Sequence, residues 1–201
     1  MHSKISDRFY LCNIGIDINE VLKAPELKLK GKSLVFTGVM DYEPNEDAMV
    51  YFIQEVFDKV AEKCPEVTLY IVGKNPTDKL KKLVINRKNI IVTGKVDSVF
   101  SYIKSSTIYI SPLRIGSGKK NKIIEAISCG TPLIASTVSM EGFEDIEDKN
   151  LILRADSSNE WVENICKLLS DEEKRIDIKK RMFNLLDESY SWKNIAKKLV
   201  E

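Results

Sequence analysis

Histidine is all but missing from this chain: His2 is the only one in 201 residues, and it stands beside the start. A histidine-based metal site or general base is therefore disfavoured. Cysteine is sparse as well. Cys12, Cys64, Cys129 and Cys166 lie far apart and form no Cys-x-x-Cys. That is the pattern of reduced thiols in a cytosolic protein, not of a disulfide framework. No apolar run approaches the length of a membrane span, and no signal-peptide pattern opens the sequence. The expected location is cytoplasmic, peripheral at a membrane at most. Neither sign of charge dominates: 31 Lys and Arg against 30 Asp and Glu leave a net charge of +1. Without a basic excess to neutralise phosphates, nucleic acid is disfavoured as the main partner.

Two nucleotide-binding signatures are missing too. No Gly-x-Gly-x-x-Gly opens the first helix, which disfavours a nicotinamide dinucleotide. A Walker loop needs glycine five places before the Gly118-Lys119 pair and Ser or Thr after the lysine. Leu113 and Lys120 stand there, which excludes a P-loop NTPase.

What is present is an alternation of short apolar runs and amphipathic helices. Leu34–Gly38, Leu69–Gly73, Ile90–Gly94, Ile108–Ile110, Leu133–Ala135 and Leu151–Leu153 read as six strands. Val35, Phe36, Ile71, Val72, Ile91, Val92, Ile110 and Ile134 are the expected core. Between the strands, Met49, Phe52, Ile53, Val56, Phe57 and Val60 keep helical spacing. Lys79–Leu83 and Val99–Ser105 read as short helices, with Ser158–Leu169, Glu172–Glu188 and Trp192–Val200 closing the chain. Strands apolar throughout, alternating with helices, predict a parallel sheet covered on both faces. Right-handed crossovers make that an α/β, Rossmann-like doubly wound domain with a helical C-terminal tail. Residues 1–32 contain too little apolar surface to fold alone and read as a linker. The chain from residue 33 to 201 is the domain.

Ligands of such sheets bind outside the carboxyl ends of the strands. The loops to watch are Gly38–Asn45, Gly73–Pro76, Gly94–Asp97, Arg114–Lys119 and Ser136–Gly142. The richest stretch runs from Ser111 to Ser136. A strand ends at Ser111-Pro112, Gly116 and Gly118 turn the backbone, and a helix follows until Gly130 and Pro132 stop it. Ile123, Ile124 and Ile127 face the sheet. Gly118, Asn121, Lys122 and Glu125, at offsets of three, four and seven, share the other side. A helix start behind two glycines offers free N–H groups to an anion. Arg114, Lys119, Lys120 and Lys122 surround it, and Glu125 can accept hydrogen bonds from ligand hydroxyls. An anion at one end and a polyol at the other describe a nucleotide or a sugar phosphate. Asn45 stands where it can cap the first helix.

These residues resemble a family. From residue 33 to the C-terminus the chain is similar to the donor-binding, C-terminal half of GT-B glycosyltransferases of the family 4 type. The resemblance is carried by Phe36-Thr37-Gly38 with Pro44-Asn45, by Ile71-Val72-Gly73, and by Val92-Thr93-Gly94-Lys95-Val96. It is strongest from Pro112-Leu113-Arg114-Ile115-Gly116 through Lys122-Ile123-Ile124-Glu125-Ala126 to Gly130-Thr131-Pro132. Glu141-Gly142 and Tyr190-Ser191-Trp192 also fit. The resemblance implies a retaining sugar transfer from a nucleotide-diphosphate sugar, the sugar nucleotide being substrate and not cofactor. No metal is expected, because no Asp-x-Asp stands at a strand end to hold a divalent ion on the diphosphate. It implies ribose at Glu125, diphosphate beside Gly116, Ser117, Gly118, Lys119 and Lys122 with Arg114, and further contacts at Gly38, Asn45 and Val96. It also implies an N-terminal GT-B domain that residues 1–32 would be the remnant of, and an acceptor this chain does not identify. The catalytic groups would lie mostly in that other domain. Two features depart from the family. Ser117 stands where many members have a second glutamate, and no basic residue lies between Gly38 and Asn45, so Arg114, Lys122 and Lys74 would neutralise the diphosphate. Two other readings stay open: an epimerase or phosphorylase of the same fold, and a non-catalytic nucleotide-sugar-binding or scaffold domain.

Overall fold

Six apolar segments pair into one sheet, and every pairing is parallel. The computed structural model describes residues 16–143, 146 and 151–186. The strands are β1 (Lys32–Thr37), β2 (Val67–Val72), β3 (Ile90–Gly94), β4 (Ile108–Ser111), β5 (Leu133–Ala135) and β6 (Ile152–Arg154). Their spatial order is β3-β2-β1-β4-β5-β6. The order reverses between β1 and β4, and at that switch the loops after the two strands part to leave a crevice.

Helices cover both faces. On one lie α2 (Glu43–Tyr51), a π-helical turn (Phe52–Phe57), α3 (Asp58–Lys63), α4 (Asp78–Val84) and α7 (Ser158–Ser170). On the other lie α1 (Ile18–Lys23), α5 (Val99–Ser105), α6 (Asn121–Ser128) and α8 (Glu172–Leu185). The π turn inside the long second helix buries Phe52, Ile53, Val56 and Phe57 together. Phe52 meets the buried Trp161 of α7 edge-on, with ring centroids 5.7 Å apart. The helix also begins earlier than its apolar pattern suggests, at Glu43, because Pro44 is well suited to a first turn.

Of the expected core, Val35, Phe36, Ile71, Val72, Ile110 and Ile134 are fully buried. Ile91 and Val92 are only partly covered. They sit on β3, an edge strand, and one flank of an edge strand has no neighbour. The connecting segment before β1 is tied to the domain. Asp17 caps α1 by accepting from the Asn19 N–H at 2.9 Å, and Val21 is buried. The backbone N–H of Leu27 donates to Ser105 Oγ (2.8 Å), and that of Lys30 to the Tyr70 hydroxyl (2.8 Å). The expected Trp192–Val200 helix, the Tyr190-Ser191-Trp192 motif, and Phe9, Tyr10, Leu11, Cys12 and Ile14 lie outside the described residues.

Candidate functional site

The carboxyl ends of β1, β2 and β3 are laced together by their own backbone. Gly38 N–H donates to Val72 O (3.0 Å), Met40 N–H to Lys74 O (2.9 Å), and Gly73 N–H to Gly94 O (3.1 Å). The approach is so close that a Cβ on Gly73 would stand 1.7 Å from the Gly38 carbonyl oxygen. A side chain at that point would push the two loops apart, and they form the floor of the crevice. Beside β4, the loop after the strand is held by a buried serine cluster. Ser136 Oγ donates to Leu113 O (2.6 Å), and Ser139 Oγ donates to Ser111 O (2.6 Å).

Between these loops opens a cleft of about 580 Å³, lined on one side by Thr37, Gly38, Val39, Tyr42, Pro44 and Asn45. Gly73, Lys74, Lys95 and Val96 line the next stretch, and Ile115, Gly116, Ser117, Lys119, Lys120, Lys122 and Glu125 close it. Gly38, Asn45, Val96, Gly116, Ser117, Lys119, Lys122 and Glu125, eight residues singled out in the sequence, thus converge on one place. Two others do not. Arg114 turns outward: its Nε and Nη2 donate to the two carboxylate oxygens of Asp47 at 3.0 and 2.5 Å. Its guanidinium also rests 4.7 Å from the centroid of the Tyr51 ring. A planar fork satisfied by a carboxylate and stacked on an aromatic has little left for a ligand. Gly118 is also off the lining, and its N–H is already donated to Glu141 Oε2 at 2.8 Å.

The helix start expected at Lys119 falls at Asn121. Lys120 occupies the N-cap position without a side-chain cap. The Ile123 N–H donates to Lys120 O at 3.0 Å, while the N–H groups of Asn121 and Lys122 lack an intrahelical partner. Asn45 does not cap α2. It lies inside the first turn, buried, where its Nδ2 donates to Val39 O at 2.9 Å and its Oδ1 accepts from Lys122 Nζ at 2.7 Å. The Lys122 ammonium also lies 4.1 Å from the centroid of the Phe36 ring. Burial pushes the Lys122 pKa down to about 7, with the Glu125 carboxylate opposing the shift and Lys120 adding to it. Glu125 moves the other way. Burial raises its pKa above the usual carboxylate range, and Lys122 pulls it partly back. No hydrogen bond to the Glu125 carboxylate is made among the described residues. A half-buried acceptor with no hydrogen-bond partner among the described residues, about one turn from the start of a helix with open N–H groups, is chemically suited to hydroxyl donors on a ligand.

Several lining residues carried no sequence signal of their own. Val39, Tyr42 and Ile115 are large apolar side chains left open at the cleft, Tyr42 being 59% exposed. No cluster of three or more metal-ligating side chains occurs among the described residues. None of the described helices is long and apolar enough to cross a membrane.

A family model described as glycosyl transferases group 1 matches residues 31–171. An uncharacterized glycosyltransferase of Methanocaldococcus jannaschii is 32% identical over 140 residues, which is 66% of this chain and 35% of the relative. The phosphatidyl-myo-inositol mannosyltransferase of Mycobacterium tuberculosis is 28% identical over 131 residues, 61% of this chain and 33% of the relative. The chain therefore spans about a third of the length of the curated relatives it matches. Among solved structures, a mutant of S. aureus TarM in complex with Fondaparinux, alpha-GlcNAc-glycerol and UDP superposes with a TM-score of 0.77 at 17% identity. That match covers 98% of this chain and 39% of the other. Anabaena HepE in complex with UDP and glucose gives a TM-score of 0.71 at 14% identity, covering 94% and 55%. At these identities the likeness is one of fold.

Proposed function

The chain belongs to the group 1 glycosyl transferases, and from that premise we propose that its domain holds the nucleotide-diphosphate sugar donor of a retaining sugar transfer. The observation that carries this reading is the Glu125 carboxylate, half-buried on the cleft wall with no hydrogen-bond donor among the described residues. A ribose offers two adjacent hydroxyls to such a group, and hydrogen bonds to a charged acceptor are among the stronger ones. From Glu125 the cleft runs back past Lys122 to the uncapped first turn of α6 and the Gly116–Lys120 loop, where a diphosphate meets positive charge and open N–H groups. The base then lies toward Val96, beyond β3.

In the transfer step, the acceptor nucleophile bonds to the sugar's anomeric carbon as the bond from that carbon to the diphosphate oxygen breaks. The broken bond's electron pair stays with the diphosphate oxygen, and the acceptor's proton passes to the leaving diphosphate or to solvent. Charge grows on the leaving nucleoside diphosphate. Lys122, Lys119 and the α6 amides lie where they can stabilise it. The UDP bound to TarM and to HepE supports a nucleoside diphosphate as the ligand class. Acceptor binding and the remaining catalytic groups are assigned to protein outside this domain. The retaining stereochemistry rests on the family resemblance.

The test is titration of the chain with UDP, GDP and, as a contrast, NAD, followed by NMR so that weak binding is still read. A nucleoside diphosphate should saturate and move the signals of Glu125, Lys122 and Gly116, while NAD should not. If UDP and GDP both leave those signals in place, the donor-binding reading is wrong.

A further inference from the structure

The Glu141-Gly142 turn lies outside the cleft, yet it touches the loop that closes one side of it. Glu141 Oε2 accepts from the Gly118 backbone N–H at 2.8 Å and stands 3.4 Å from Lys120 Nζ. Lys120 Nζ also donates to the Gly118 carbonyl, so one glycine is gripped at both of its backbone polar groups. Gly142, at φ +84, packs against the same loop: a Cβ there would come within 2.7 Å of Lys119 Cγ. The loop thus has two faces. Gly116, Ser117, Lys119 and Lys120 line the cleft, whereas Gly118 and Glu141 do not.

We propose that Glu141 is a positioning residue that holds the Gly116–Lys120 loop in the shape that receives the donor's diphosphate. The proposal rests on the donor-binding reading above. Its physical basis is the loop's own weakness. Gly116 and Gly118 both have positive φ, and all three residues from Gly116 to Gly118 are exposed. A Gly-Ser-Gly segment left to itself samples many conformations, and ordering it at the moment of binding subtracts from affinity. A carboxylate supplied from twenty-three residues downstream orders it beforehand. The same carboxylate, beside Lys120 Nζ, offsets part of the repulsion between Lys120 and Lys122. Because Glu141 sits behind the loop, it does not compete with the phosphate for the cleft face.

The experiment compares the full chain with Glu141→Ala and Glu141→Gln, using UDP as the probe. Hydrogen exchange of the peptide spanning Gly116–Lys120 is measured without ligand, and UDP affinity by NMR titration. Glu141→Ala should speed exchange in that peptide and weaken UDP about tenfold, the equivalent of one lost interaction of 1.4 kcal/mol. Glu141→Gln keeps an oxygen acceptor for the Gly118 N–H, so it should recover most of both effects. A purely structural role would not show that rescue. Unchanged exchange in Glu141→Ala overturns the proposal, and so does UDP affinity equal to or tighter than wild type. Failure of the wild-type chain itself to bind UDP or GDP would instead remove the donor-binding reading, and this role with it.

Discussion

The Lys122 ammonium donates to Asn45 Oδ1 at 2.7 Å, and so ties the first turn of α6 to the first turn of α2 across the mouth of the sheet. Asn45 in turn packs on Gly38, where a Cβ would stand 2.6 Å from its amide nitrogen. One polar pair therefore sets the distance between the two loops that flank the switch point.

That pair gives Lys122 a pH dependence with a definite sign. Its pKa is pushed down to about 7 in the folded chain, against an ordinary value of 10.5. Between those values the unfolded chain holds a proton that the folded chain has released. Stability should therefore rise with pH through that window, and be lowest below it. Lys122→Met should flatten the profile and raise the thermal midpoint near pH 6. A bound diphosphate favours the ammonium, so wild-type UDP affinity should fall as pH rises, by up to about tenfold per pH unit above the pKa. Thermal denaturation and titrations across that range check both, and a flat wild-type profile refutes them.

Glu125 carries the opposite pairing of stability and function. Burial raises its pKa, so the folded chain resists the charged form at neutral pH. Glu125→Gln removes that resistance and should leave the thermal midpoint at neutral pH equal or higher. The same change removes the charged acceptor for the ribose, and should weaken UDP by about tenfold, since hydrogen bonds to charged groups contribute about 1.5–3 kcal/mol. In the wild type, affinity should begin to fall on acidification at a higher pH than for an ordinary carboxylate, as Glu125 takes up its proton. Calorimetry beside thermal scans separates the two effects.

Arg114 should matter little to the ligand. It is committed to Asp47 and Tyr51, and its side chain is about half exposed. Arg114→Ala and Asp47→Ala should each change UDP affinity by less than about twofold and stability by no more than about 1 kcal/mol, the range of exposed ion pairs. A tenfold loss in Arg114→Ala alone would show that the arginine swings into the cleft when ligand arrives.

Gly73→Ala should be the most damaging single methyl in the site. The residue sits at φ +145, and the added carbon meets the Gly38 carbonyl oxygen. Backbone strain and overpacking together should cost about 2–4 kcal/mol. Urea denaturation gives the number. Gly94→Ala is the control, because a Cβ at Gly94 finds open space and only its φ of +69 is unfavourable.

How far the sequence reached depends on the range of the interaction involved. Six apolar runs separated by helical periodicity were enough to specify a parallel, doubly covered sheet, because burial on both faces requires that pattern and little else provides it. Helix ends with local chemistry were equally legible. Val99–Ser105 fell where its spacing put it, and the helix read from Ser158 begins there in α7. The cleft itself follows from the strand order, whose switch point lies where strand-end loops rich in glycine meet.

Contacts between residues distant in the chain were not legible. Nothing local to Arg114 reveals that Asp47, sixty-seven positions away, has claimed it. Nothing near Asn45 shows that its amide reaches α6 instead of capping α2. Cys64 and Cys166 looked isolated in the sequence, yet their sulfurs lie 3.8 Å apart where the end of α3 meets α7. Burial raises the Cys166 pKa to about 11. The partly open side chains of Ile91 and Val92 likewise depended on which strand became an edge. Hydrophobic period and turn chemistry are written residue by residue, so the sequence alone determined the elements and the end of the sheet that opens for a ligand. Which charges are spent on each other, and which remain for the ligand, was decided only when the folded chain brought distant side chains within hydrogen-bond reach.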